Sequence, residues 1–271
     1  MKMAKSETKK EEKDIVHQPS SVPALQEKEQ APDYLAHGQA RGMEAVEQSD
    51  ITLPRLALCQ SNTPQRKRAD ANYIEGLNEG DFFNTITQTN YGPKVTLVPI
   101  LFSKQRIKFN KPEEGGGIDC RSFNGKTGGH YSPDSCDACP HSQFRIEDHE
   151  QIKPSCLLFH NRVSWILPQN EMAVSSLKST GLTVSKQWNM LVKLSNKDLF
   201  GRVYELESVS MTKAGNSFYG VKLVPKGWTP EEIYKQMEDY FEALRDKNIV
   251  MDTTGIEGDE PPDTAFNSNS M

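Results

Sequence analysis

Four of the five cysteines fall together in the middle of the 271-residue chain, at Cys120, Cys136, Cys139 and Cys156, the central pair inside "CDACPH". Two intervening residues let the sulfurs of Cys136 and Cys139 turn toward one centre. Cys120 and Cys156 can reach it from flanking strands. Four thiolates around Zn2+ are the usual closed, structural arrangement. The loop between Cys120 and Cys136, "RSFNGKTGGHYSPDS", is rich in Gly and polar residues and has little to bury, so a bound ion would supply its cohesion. The spacing predicts a structural zinc ion held by Cys120, Cys136, Cys139 and Cys156. His130, His141 or His160 could replace one of the thiolates, and unligated core cysteines are the plain alternative. A thioredoxin-like pair is disfavoured because no strand leads directly into a helix that starts at "CDAC".

A zinc ion with all four positions taken by protein offers no vacancy for substrate or activated water, so this chemistry predicts no enzyme. Other catalytic signatures are missing. There is no Gly-rich phosphate loop ending in Lys-Ser/Thr, "KTGG" at 126–129 lacks that context, and no HExxH occurs. The pairs Glu113-Glu114 and Glu147-Asp148 read as solvated loop charges. An odd number of cysteines, with no apolar run of signal-peptide or membrane-spanning length, predicts a reducing, cytoplasmic location.

The second constellation is cationic. The net charge of −5 argues against a simple basic nucleic-acid binder, but the charge is unevenly distributed. Residues 51–110 and 171–230 each carry eight basic against four acidic side chains, whereas residues 231–271 carry three against eleven. Within the positive segments Arg66, Lys67 and Arg68 form a run, and Lys94 opens a strand. Lys104, Arg106 and Lys108 alternate through "KQRIKF", which in a strand puts three cations on one face and Ile107 and Phe109 on the other. Such a row can track phosphates while Phe82, Tyr91 or Trp188 stack on bases. Each ring also reads as core, and the cation row as a solvated face.

Positioning these residues requires mostly strands. "ITLPRLALCQ" opens the folded part near Ile51, "GLNEGDFFNTIT" gives a turn and an aromatic stretch, and "PKVTLVPILFSKQRIKF" has the β-branched density of one or two strands. "SCLLFHNRVSWILP" is another strand. "QNEMAVSSLKSTG" suggests a short helix stopped by Gly181, with "QWNMLVKL" extending it or forming a second helix. "GRVYELESVSMTK" and "SFYGVKLVP" form a hairpin around Ala214-Gly215-Asn216. A helix begins near Thr229, with Thr229 as cap, Pro230 in the first turn and Glu232 in the capping-box position. Its stripe of Ile233, Met237, Tyr240, Phe241 and Leu244 faces the core. Residues 1–49 read as a flexible arm with a short helix around Tyr34–Val46, residues 50–246 as the folded domain with an insertion at 117–158, and residues 247–271 as a flexible acidic tail.

The elements "LPRLALCQ", "GLNEGDFFNTIT", "GPKVTLVPILFSKQRIKF", the cysteines from "CDACPH" to "PSCLLFHNRVSWILP", and "SSLKSTG" resemble a widespread group of bacteriophage single-stranded DNA-binding proteins over roughly residues 50–225. The resemblance implies a mainly β (α+β) fold: an OB-like β-barrel with a zinc-bearing insertion and flanking helices. It also implies non-sequence-specific binding of single-stranded DNA in phage replication or recombination. By the same likeness the acidic tail, with Glu257, Asp259, Glu260 and Asp263 ahead of Phe266, would meet phage replication or recombination proteins, and copies could associate along DNA. From the residues alone two other readings stay open: a zinc-supported protein-interaction or transcription-regulating module, and a metal-dependent nuclease or recombination accessory.

Overall fold

Strands dominate the chain because its apolar segments are short and rich in Val, Ile and aromatics, with Gly, Pro, Asn or Asp between them. The computed structural model describes residues 42–256 except 48–49, 112–114, 148, 168, 214–215 and 254–255. Two units separate after Val46, and the architecture below is that of the second, which begins at Glu47. The expected amino-terminal arm, apart from its last few residues, and the tail beyond Ile256 lie outside the described residues.

Among the described residues, eleven strands and two α-helices follow in order: β1 (Arg55–Leu58), β2 (Phe82–Asn84), β3 (Asn90–Gly92), β4 (Lys94–Phe109), β5 (Ile118–Ser122), β6 (Arg145–Glu147), β7 (Glu150–Ile152), β8 (Cys156–Leu167), β9 (Glu171–Leu177), α1 (Gly181–Ser195), β10 (Arg202–Lys213), β11 (Asn216–Trp228) and α2 (Glu231–Leu244). Nine of the strands make one sheet in the order β11-β10-β4-β8-β9-β1-β2-β3, with β5 added to β4, while β6 and β7 form a separate hairpin. All pairings in the sheet are antiparallel except β1 with β9. The fold is thus mixed α+β, dominated by a curled, open sheet with two flanking helices.

The segment "PKVTLVPILFSKQRIKF" forms a single long strand, β4, with an irregularity between Pro99 and Leu101. Proline has no N–H to donate, and here it lies just past Leu97, the last β4 residue that pairs with β10. Beyond it β4 keeps β8 on one side and gains β5 on the other from Arg106. The curl brings the two ends of the sheet near each other, with no strand ladder between them among the described residues. The Gln60 amide spans that seam, donating from Nε2 to the Tyr219 carbonyl and accepting from the Tyr219 N–H, both at 2.9 Å. Gly80 lies at the same seam with φ +86°; a Cβ there would stand 2.7 Å from the Tyr219 ring.

Each sheet face carries its own core. Trp188 of α1 is fully buried among Leu56, Phe82, Val95, Leu97, Ile166, Tyr204 and Leu206, residues drawn from five strands, so α1 fills the inside of the curl. On the other face α2 lays Met237, Ile233, Phe241 and Leu244 against Val98, Ile100, Phe159 and Val163, together with Ile249 and Met251 of the segment that follows it. The apolar stripe expected for this helix is therefore its packing face. Its start differs from the capping box: Thr229 Oγ1 donates to the Phe200 carbonyl at 2.7 Å, and Pro230 stands at the cap.

The helix expected in "QNEMAVSSLKSTG" is instead β9, and Gly181 opens α1 rather than ending a helix. The strand is covered on both faces, with Ala173, Val174, Ser175 and Leu177 all buried, so no period-two alternation marks it. "QWNMLVKL" belongs to α1, which ends at Asn196 in the left-handed conformation, φ +48°. The expected hairpin forms as β10 and β11. Tyr204 and Leu206 are buried in the core beneath α1, whereas Glu205 and Glu207 lie on the opposite face, part-buried, Glu205 paired with Lys226 and Glu207 with Lys94 and Lys222.

Candidate nucleic-acid interface

Cys120 on β5, Cys136 in a short 3-10 turn, Cys139 just after it and Cys156 at the start of β8 line one small pocket with Arg106, Ser122, Gly129, Tyr131 and Ser132. Ser135 caps the turn by accepting from the Ala138 N–H at 3.3 Å. Among the described residues, however, no group of three or more His, Cys, Asp or Glu side chains is placed to hold a metal ion. The expected structural zinc on Cys120, Cys136, Cys139 and Cys156 is therefore corrected: these are buried free cysteines. Burial pushes the Cys156 thiol up to about 11. The three candidate histidines are no substitutes. His130 and His141 pack about the Tyr131 ring, with centroids at 4.1 and 4.6 Å, and His160 lies against α1.

The row Lys104, Arg106, Lys108 does share one face of β4, with Gln105 and Ile107 buried on the other. Only Lys104 of the three is open. Arg106 Nη2 meets Asp137 Oδ1 at 2.8 Å and its Nε donates to the Gly125 carbonyl at 3.2 Å. Lys108 pairs with Asp119 and lies 5.2 Å from the Tyr131 ring centre. The cysteine-bearing insertion thus folds over two of the three cations and supplies their counter-charges.

The other expected contacts are dispersed. Arg66 pairs with Glu79 at 2.7 Å, while Lys67 and Arg68 are exposed beside it. Lys94 and Lys222 both hold Glu207, at 2.8 and 2.9 Å, and pull its carboxyl down to about 2. Phe82 and Trp188 are in the core and offer no face to a base, because the curl encloses them. Tyr91 is half-buried, its hydroxyl donating to Glu171 at 2.6 Å.

A different cationic group emerges where β4 and β8 meet α1. Arg162, in the middle of an apolar strand, is fully buried with no carboxylate against it among the described residues. Its Nη1 donates to Ser185 Oγ at 2.9 Å, and its Nη2 to the Ser185 carbonyl at 3.1 Å and to Asn189 Oδ1 at 2.5 Å. Its guanidinium lies 4.4 Å from the Trp188 ring centre and 4.8 Å from that of Phe102. Burial pulls the group down to about 10, yet it stays charged at neutral pH. His160 contacts Ser185 Oγ through Nδ1 at 2.8 Å and is lowered to about 4, by burial first and then by Lys104, Arg162 and Lys186. Lys104 and Lys186 are exposed above it. Among the described residues no carboxylate acts on His160, so Lys104, Arg162 and Lys186 form an uncompensated positive patch around a neutral imidazole. The available signal in the sequence was a lone Arg inside "LLFHNRVSWIL" and the lack of any Asp or Glu between Glu171 and Asp198.

Comparison with known proteins places this chain among bacteriophage proteins. It belongs to the Pam3 phage gp34-like protein family, which matches residues 25–250. No curated protein and no solved structure matches it.

Proposed function

We propose that the protein binds single-stranded DNA without sequence preference during bacteriophage replication or recombination, in the host cytoplasm and without a covalent step. The observation that carries this reading is the positive patch of Lys104, Arg162 and Lys186. Burying a cation without a counter-ion costs several kcal/mol, and an arrangement that lowers stability in this way is characteristic of binding sites. The buried Arg162 adds to the field at the surface where Lys104 and Lys186 stand open, and that field attracts phosphates. Phe102 supplies the neighbouring ring, in keeping with backbone attraction plus stacking. The curled sheet with a helix inside is compatible with the OB-like likeness, which belongs to the same proposal. Its open ends mean that binding would use a face rather than a closed barrel.

The test is fluorescence anisotropy with labelled single- and double-stranded oligonucleotides across a range of salt. Single strands bind more tightly, and log affinity falls linearly with log salt. Changing Lys104→Glu and Lys186→Glu together lowers the steepness of that line by about 1.4, roughly 0.7 for each phosphate of a single strand that is no longer neutralised. Equal, negligible affinity of the unaltered protein for both forms at low salt rejects the reading.

A further inference from the structure

Two surface features of opposite character adjoin one another in the chain. The exposed side of α1 carries Met190 and Leu194, 57% and 74% exposed, beside Lys193 and Lys197. No acid lies between Glu171 and Asp198 to balance them. Directly after Lys197 begins the wall of a groove of about 400 Å³, whose apolar lining includes Leu101, Leu199 and Phe241 and whose charged lining residues are Asp198, Glu238 and Glu242. Among the described residues no Lys or Arg lines it. Large apolar side chains left in water at the end of a helix, and a groove with an apolar floor under an acidic rim, are features of interaction surfaces.

We propose that the groove receives the carboxyl-terminal half of α1 from a second copy of this chain, Leu194 entering the apolar floor and Lys193 and Lys197 meeting the acidic rim. Phosphates are repelled by that rim, so the groove is not the phosphate-binding surface, although Phe102 lines the groove as well. The protein's own α1 cannot fill it, because Trp188 anchors that helix inside the curl. Lys197 and Asp198 are consecutive, so basic helix and acidic groove adjoin, and a single two-fold operation can satisfy both copies at once. The proposal concerns the protein without DNA and stands apart from the binding reading above.

Sedimentation equilibrium of the full chain, without nucleic acid, tests it. The unaltered protein dimerises, and the dimer weakens as salt rises. Leu194→Asp raises the dissociation constant tenfold or more, as loss of a central apolar anchor does. A helix variant, Lys193→Glu with Lys197→Glu, and a groove variant, Glu238→Lys with Glu242→Lys, are each monomeric alone. Mixed in equal amounts they form a heterodimer, since the altered acidic helix of one meets the altered basic groove of the other, and the unaltered basic helix meets the unaltered acidic groove. A monomeric unaltered protein, a dimer indifferent to these changes, or a mixture that stays monomeric overturns the proposal.

Discussion

The buried imidazole of His160 links acidity to stability, and the size of that link can be worked from its surroundings. His160 is 5% exposed, and the cations facing it come from three elements: Lys104 on β4, Arg162 on β8 and Lys186 on α1. Ser185 Oγ accepts from Arg162, so its own proton is free to point at Nδ1, which suits a neutral ring. The folded state holds His160 near 4, against about 6.5 in an unfolded chain. Because the folded value is the lower one, the unfolded state takes up the proton first. The stabilisation is complete above pH 6.5 and is lost as pH falls toward 4. Proton linkage gives a loss of about 2 kcal/mol by pH 5 and of up to about 3 kcal/mol by pH 4. Urea unfolding at pH 7, 6, 5 and 4.5 reads this directly, with His160→Gln as comparison. The variant keeps an acceptor for the Ser185 hydroxyl but cannot titrate, and every other histidine is common to both proteins. The unaltered protein should lose about 2 kcal/mol more than the variant between pH 7 and pH 5. Parallel curves for the two would refute the assignment of a depressed, neutral His160.

Two further outcomes rest on other parts of the fold. Gly80→Ala should destabilise by about 2–4 kcal/mol in urea unfolding, because a side chain at positive φ is strained and its Cβ has no room against Tyr219 and Ser208; an unchanged midpoint would contradict the tight seam. Glu207, drawn down to about 2 by Lys94 and Lys222, contributes stability that is present above pH 4.5 and lost as pH falls through 2. Glu207→Gln should therefore flatten the acid limb of the stability curve below pH 4.5, and a limb as steep as before would show the pairs to be idle.

Much of the fold could be read from local pattern, and its failures share a cause. The period-two row of Lys104, Arg106 and Lys108 was legible because β4 buries one face there. What pairs with it was not: Asp119 and Asp137 come from the insertion, and only the folded chain brings them back over the row. Strand β9 reads as a helix in the sequence because both its faces are covered, which removes the alternation that identifies a half-buried strand. Gly181 has the residue type of a helix stop, whereas Asn196 carries the left-handed turn. Phe82 and Trp188 look like stacking residues by type alone; enclosure by five strands makes them core. The converse error concerns Arg162 and His160, whose apolar strand suggested nothing cationic. Their importance arises from α1 crossing β8, a long-range contact.

The clasp at Gln60 has a consequence for how copies of this protein avoid clumping. Strand β11 ends the sheet, and a bare strand border is a template onto which any extended peptide can add. Gln60 offers Tyr219 one donor and one acceptor, as a neighbouring strand would, but a side-chain amide cannot be prolonged into a ladder. It occupies the rim at Tyr219 with two bonds and goes no further, so at that point of the border a strand cannot be added.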